Sequence, residues 1–314
     1  MSTIPIVTTV KELRSFRSEF ALKNETVGFV PTMGYLHEGH LSLINESLIS
    51  NDHTIVSIFV NPSQFAPNED LDTYPRDLDH DIQVITKFLS KNFPNGNKKV
   101  DAIFKPEVSE MYPSGFNMDI KKQRGAFVEV LGVSEVLEGK TRPTFFRGVS
   151  TVVTKLLNAV NPTTAYFGQK DVQQTVVVKN LVRDLLMNVN IEIVPTVRND
   201  NGLALSSRNK YLSDEILNQV TCLYKSMELA FNQYKQNNII NVNELTKLIV
   251  EKITSTNSKF QIDYISFNDP LSLDYLNEIN ISKGCILSLA VYVPNDVNSN
   301  YTTRLIDNMI FKPL

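Results

Sequence analysis

Thr26-Val27-Gly28-Phe29-Val30 runs into Pro31, and Thr54-Ile55-Val56-Ser57-Ile58-Phe59-Val60 runs into Asn61-Pro62. Each is a short apolar run stopped at a proline, the pattern of a buried strand. Between them, His40-Leu41-Ser42-Leu43-Ile44-Asn45-Glu46-Ser47-Leu48-Ile49 places apolar residues at 41, 44 and 48, on one face of a helix. Strand, helix and strand inside Thr26–Val60 make a βαβ unit, and a crossover of that kind joins parallel strands. Outward from it the alternation continues. Helices are expected over Leu78–Leu89, Val149–Asn158 and Val172–Leu186, and strands over Ala102–Phe104, Thr164–Phe167 and Val189–Val194. The fold class predicted is α/β, an open Rossmann-like parallel sheet with ligands beyond the carboxyl ends of its strands.

Past Asn188 the pattern changes. A loop of Asn, Gly and Ser leads to helices expected over Asp214–Gln236 and Asn243–Thr254, then to strands over Ile262–Phe267 and Cys285–Val293. The expected division is a nucleotide-binding domain over 1–189 and a smaller α+β domain over 190–314. Asn92–Lys99 and Pro294–Asn300 are Asn-rich and polar, and read as surface insertions.

The 314 residues are 42% hydrophobic and 21% charged, which permits packed cores and excludes a disordered chain. A net charge of -3 lacks the basic footprint of a nucleic-acid or anionic-membrane binder. Cys222 and Cys285 are the only cysteines, too few for a disulfide scaffold or a Cys-rich zinc site. They predict buried free thiols in a reducing compartment. No run reaches the ~18 apolar residues of a membrane span, and Met1–Val10 lacks the features of a signal peptide. A soluble cytoplasmic protein is the expectation.

Four stretches can carry chemistry. Pro31-Thr32-Met33-Gly34-Tyr35-Leu36-His37-Glu38-Gly39-His40 joins the first strand to the helix. His37 and His40 share a face of its first turn, where free N–H groups and partial positive charge suit a phosphate. Zinc would need a third ligand that this neighbourhood lacks. Gly202-Leu203-Ala204-Leu205-Ser206-Ser207-Arg208-Asn209 sets two hydroxyls beside a guanidinium, a clamp for phosphate oxygens. Taken alone it reads first as turn chemistry before the next helix. Tyr166-Phe167-Gly168-Gln169-Lys170-Asp171-Val172-Gln173-Gln174 follows a strand and opens a helix. Lys170 is a phosphate partner by charge, Asp171 an acceptor for ribose hydroxyls, and Gln174 lies one turn on. Asn61-Pro62-Ser63-Gln64-Phe65 places an amide at a strand end, where it can read a small polar substrate. The acidic stretch Asp77-Leu78-Asp79-His80-Asp81 reads first as a charged helix face.

Taken in order, Pro31-Thr32-Met33-Gly34, the His37/His40 pair, Asn61-Pro62-x-Gln64-Phe65, Gly168–Asp171, Leu205–Asn209 and Thr303–Asn308 closely resemble the pantothenate synthetase (pantoate–β-alanine ligase) family, over nearly the whole chain. The resemblance implies an ATP-dependent ligase working in two steps. Pantoate is first activated as an adenylate with loss of diphosphate, and the amine of β-alanine then displaces AMP. It implies Mg²⁺ dependence and a homodimer. It aligns Met33, Gly34, His37, Gly39 and His40 with the ATP site, His40 with a proton donor, and Gly168, Lys170, Asp171, Leu205, Ser206, Ser207 and Arg208 with further ATP contacts. Val197 aligns with a backbone contact to adenine. Gln64 and Gln174 align with pantoate-holding amides, Gln64 also with a β-alanine contact, and Asp81 with an acidic position near the metal.

The chain departs from the family pattern at three places. Pro143-Thr144-Phe145-Phe146-Arg147 stands where Pro-Gly-His-Phe-Arg is common, Asn201 where Asp is common, and His80 where a carboxylate is common. A ligase that adenylates another small acid, and a nucleotide-binding partner without turnover, are the alternatives to be tested.

Overall fold

In a computed structural model, residues 4–66, 71–206, 209, 211–237, 240–295 and 302–314 are described. The chain forms two compact units, one of Met1–Gly168 with Val177–Val194, the other of Gln169–Val176 with Pro195–Leu314.

The first unit is built on the parallel sheet the patterning predicts. Its strands are β1 (Ile6–Val7), β2 (Val27–Thr32), β3 (His53–Ile58), β4 (Ala102–Phe104), β5 (Thr164–Gly168) and β6 (Asn190–Val194). They lie in the order β1-β4-β3-β2-β5-β6. All pairings are parallel, with Val27 opposite His53, Thr32 opposite Ile58 and Gly28 opposite Thr164. From β2 the sheet grows one way through β3 and β4, and the other way through β5 and β6. The order therefore reverses beside β2, and such a switch point opens a crevice at the carboxyl strand ends. Phe29, Val30, Ile55, Val56, Ile103 and Ala165 are fully buried. Helices on both faces explain why these strands read as continuous apolar runs.

Helices α1 (Val10–Leu22), α2 (Glu38–Ser50), α3 (Leu78–Asn92), α4 (Val108–Met111), α5 (Glu138–Thr141), α6 (Phe145–Val160) and α7 (Val172–Asp184) follow in chain order. α1 is absent from the expected elements because its surface is largely charged and it buries only Leu13 and Phe20. Its signal was local: Thr9 and Glu12 form a reciprocal capping box.

The second unit holds α8 (Asp214–Gln219), α9 (Thr221–Asn237) and α10 (Val242–Thr256) with an antiparallel sheet β7 (Gln261–Asn268), β8 (Cys285–Pro294) and β9 (Thr302–Phe311). The single helix expected over Asp214–Gln236 is two helices that meet at Val220. β9 was not expected, because Arg304, Asp307 and Asn308 interrupt its apolar pattern. It pairs along its length with β8, from Cys285 opposite Phe311 to Pro294 opposite Thr302. Cys222 and Cys285 are buried free thiols. Among the described residues, no helix is long and apolar enough to cross a membrane.

Candidate active site

Beyond β2 the backbone turns sharply, with φ +86° at Gly34 and 54° at Tyr35. A Cβ at position 34 would lie 3.0 Å from the Asp81 carboxylate and 3.1 Å from Ile58 Cγ2, so glycine is required by space as well as by conformation. The turn is held from outside. The Gly34 N–H donates to Thr32 Oγ1 at 3.1 Å, and the Thr32 hydroxyl donates to the Ser57 carbonyl at 2.7 Å. The N–H groups of Tyr35 and Leu36 donate to Asp81 Oδ2 and Oδ1, at 3.1 and 2.7 Å.

Asp81 projects from the first turn of α3 and is 1% exposed. Burial raises its pKa above the ordinary carboxylate value, against the pull of the two N–H donors. The metal-ligand expectation meets an obstacle here. Both Asp81 oxygens are engaged by backbone, and among the described residues no group of three His, Cys, Asp or Glu is arranged to hold an ion. Asp81 does not fit a resident metal. It pins the glycine turn.

That turn delivers the histidines. His37 is the N-cap of α2, and its Nδ1 accepts the Gly39 N–H at 3.1 Å. His40 Nδ1 accepts the His37 N–H at 3.3 Å, completing a capping box made of two imidazoles. A backbone N–H can only donate, so both Nδ1 atoms are acceptors and each neutral ring carries its proton on Nε2. The ring centroids are 4.2 Å apart, and both side chains are half-buried. The pair thus sets two Nε2–H groups at the positive end of a helix.

At the end of β3, Asn61 caps the short turn Pro62–Gln64. Its amide nitrogen donates to Gln64 Oε1 at 2.8 Å and to the Gly148 carbonyl at 3.1 Å. α6 packs so closely here that a Cβ on Gly148 would lie 2.1 Å from the Ser63 carbonyl oxygen. Arg142 donates from Nη2 to the Gln64 carbonyl at 3.0 Å, and its guanidinium lies 3.9 Å from the centre of the Phe145 ring. The departure at Thr144-Phe145 therefore supplies a platform for an arginine that braces Gln64.

In the second unit, Gln169-Lys170-Asp171 forms one helical turn leading into α7. Asn308 holds it. The Asn308 amide nitrogen donates to the carbonyls of Gln169 and Lys170, both at 2.9 Å, and its oxygen accepts from Gln169 Nε2 at 3.2 Å. Asp307 beside it pairs bidentately with Arg198 at 2.6 and 2.8 Å, with Arg198 stacked 4.1 Å over the Tyr224 ring. Arg198 also donates to the Gly202 carbonyl at 3.1 Å. This ties down a hairpin in which the Leu205 N–H donates to the Val197 carbonyl at 3.0 Å. The Asn209 N–H donates to the Ser206 carbonyl at 3.1 Å. Lys170, Ser206, Asn209, Tyr224 and Asp307 line one small cavity.

Of the expected residues, Met33, Gly34, His37, Gly39 and His40 lie along one turn and helix start in the first unit. Gly168 ends β5, and Gln64 sits half-buried at the end of β3. Lys170, Val197, Leu205 and Ser206 belong to the second unit, where Asp171 is exposed and Gln174 lies half-buried on the first turn of α7. Ser207 and Arg208 lie outside the described residues. Sequence reasoning passed over Tyr112, Arg198, Asp307 and Asn308. The Thr303–Asn308 block carried a signal for the last two, without a role attached.

A family profile described as Pantoate-beta-alanine ligase matches residues 5–310. A pantoate–β-alanine ligase of Saccharomyces cerevisiae is 46% identical, over 96% of this chain and 98% of its own length. A pantothenate synthetase of Herpetosiphon aurantiacus is 44% identical, over 97% and 99%. Among solved structures, pantothenate synthetase from Thermus thermophilus superposes with a TM-score of 0.81 at 39% identity, over 99% of this chain and 100% of that one. The Francisella tularensis pantoate–β-alanine ligase, complexed with β,γ-ATP and β-alanine, gives 0.72 at 35% identity, over 98% of each. The parallel sheet, the imidazole pair at the start of α2 and these full-length likenesses agree, and the chain belongs to the pantoate–β-alanine ligase family.

Proposed function

We propose that this chain joins pantoate to β-alanine in two displacements driven by ATP. A pantoate carboxylate oxygen attacks the α-phosphorus, a new P–O bond forms, and the bond to the β-phosphate oxygen breaks to release diphosphate. The β-alanine amine then attacks the activated carbonyl, loses a proton and displaces AMP, leaving the amide. Phosphoryl and acyl transfer of this kind need positioning and stabilisation of developing charge more than covalent help.

The observation that carries the proposal is the His37/His40 arrangement, with both Nδ1 atoms committed to backbone N–H donors. Two Nε2–H groups are then pre-oriented donors for phosphate oxygens whose charge grows as diphosphate leaves. On this reading His40 acts as a hydrogen-bond donor. To serve as a proton reservoir it would give up the bond that fixes its ring. Lys170, Ser206, Ser207 and Arg208 add cationic and hydroxyl contacts to phosphate. Met33, Gly34, Gly39, Gly168 and Leu205 line the nucleotide, Asp171 takes ribose, and the Val197 backbone meets adenine. Gln64 and Gln174 hold pantoate. Mg²⁺ arrives as part of the substrate MgATP, held chiefly by phosphate oxygens and water. We further propose, on the family resemblance, a cytoplasmic homodimer, to be tested by mass measurement in solution.

The test is AMP formation by purified protein with MgATP. AMP should appear only when pantoate and β-alanine are both supplied. His40→Ala should lower the rate about 10²–10³-fold, as for loss of one transition-state donor. A donor role further predicts that kcat holds steady as pH rises above 7. A rate that falls with the deprotonation of an imidazolium would show His40 working as a general acid instead.

A further inference from the structure

The Gln64 side chain meets Asn61, and which end of each amide faces which is decided by partners that have no choice. The Gly148 carbonyl can only accept, so the Asn61 atom 3.1 Å from it is the amino nitrogen. The Ser63 backbone N–H can only donate, so the atom it faces at 3.4 Å is the Asn61 oxygen. That oxygen also accepts the Tyr112 hydroxyl at 2.6 Å, and the Ser63 hydroxyl, 2.7 Å from the Tyr112 oxygen, donates to Tyr112 and so leaves the Tyr112 proton for Asn61. With Asn61 locked, the group it shows to Gln64 at 2.8 Å is a donor, and Gln64 must answer with Oε1. The Gln64 amino group is thereby turned away from Asn61.

We infer that Tyr112, reinforcing the orientation that the Gly148 carbonyl and the Ser63 N–H impose on Asn61, holds the polarity of Gln64, so that Gln64 presents an N–H pair and selects an acceptor oxygen on its substrate, a carboxylate or a hydroxyl, and not an amine. This rests on the proposed assignment of Gln64 to pantoate. It adds a division of labour: Gln64 binds oxygen atoms of the acid and gives no hold to the ammonium end of β-alanine. Burial makes the relay rigid. Asn61 is 1% exposed and Tyr112 3%, and in such surroundings an unmade hydrogen bond is costly, which holds every member in one orientation. Burial also pushes the Tyr112 hydroxyl up to about 12, so it keeps its proton and remains a donor through the working pH range. Tyr112 touches no substrate in this scheme. It is a positioning residue.

Three variants of the full chain test this, with KM for pantoate and for ATP measured separately. Gln64→Ala should raise the pantoate KM and leave the ATP KM unchanged. If the pantoate KM does not move, Gln64 does not hold the acid, and both the assignment and the inference fall. Gln64→Glu keeps an acceptor toward Asn61 but replaces the outward N–H pair with an anionic oxygen. The pantoate KM should rise about 10²-fold, by lost donation and added repulsion. It should recover in acid, as the introduced carboxyl takes up a proton and can donate again. Wild-type pantoate binding by Gln64→Glu, beside a defective Gln64→Ala, would overturn the polarity alone. Tyr112→Phe should raise the pantoate KM about 3–10-fold, the worth of one hydrogen bond, at unchanged ATP KM and kcat. An equal loss for both substrates, or a fall in kcat alone, would mean that Tyr112 only supports the fold and would overturn its positioning role.

Discussion

Asp81 shows how far a residue's local appearance can mislead. In the sequence it is one acid among several on a helix start, and its alignment suggests a metal. In the structure it is 1% exposed and accepts the N–H groups of Tyr35 and Leu36. Asp81→Asn can accept only one of them and sets an amino group against the other. It should destabilise the protein by about 1–3 kcal/mol, the penalty of an unmet buried donor. A pH dependence comes on top. Burial raises the native pKa of Asp81 above the ordinary value of 3.8, so the folded state holds its proton more firmly than the unfolded chain does. Asp81 therefore adds stability in acid, below its unfolded pKa, that is lost as pH rises through its native pKa. The advantage of wild type over Asp81→Asn in denaturant titrations should be largest at the acid end and shrink as pH increases. An advantage that grows with pH would mean that the N–H donors outweigh burial. The histidine pair, by contrast, was visible in the sequence, because two imidazoles and a helix start within one turn are local facts. That both rings are acceptors at Nδ1 was not visible, because it depends on rotamers.

At the scale of elements, the apolar runs of β2, β3 and β5 and the helical spacing of α2 and α7 were readable from patterning, since each is decided by burial of its own residues. β9 was not. Its Asp307 and Asn308 break the apolar pattern, and they face inward because Arg198 and the Gln169-Lys170 turn meet them there. A partner more than a hundred positions away cannot be read from a local window. α6 carries a prediction of its own. It begins at Phe145, earlier than its apolar spacing suggests, and Gly148 in its first turns lies against the backbone of Ser63 and Gln64. Gly148→Ala would force a methyl group into that backbone, with no flexible side chain to yield. It should lose about 1–3 kcal/mol of stability, the usual penalty of overpacking, and raise the pantoate KM by displacing Gln64. Unchanged melting and kinetics would show that the helix can shift without consequence.

At the largest scale, the two thiols both lie in the second unit and report whether it is closed. Cys222 sits on α9 and Cys285 begins β8. Burial raises both thiol pKa values, that of Cys285 to about 12. A thiol that holds its proton is a poor nucleophile. Native protein at pH 8 should react with neither an aromatic disulfide reagent nor an alkylating agent over hours, and denatured protein should titrate two thiols. One fast-reacting thiol in the native state would reveal local opening of the second unit.

Sequence alone determined the fold class, the order of the motifs and the family, because hydrophobic period and motif spacing are properties of neighbouring residues. Tertiary structure alone decided which side chains hold those motifs in shape. Asp81 beneath the glycine turn, Asn308 behind Lys170 and Tyr112 behind Gln64 act through hydrogen bonds whose two ends are distant in the chain. The direction of such a bond is set by which partner is able to donate, and that is defined only once the partners are brought together in space.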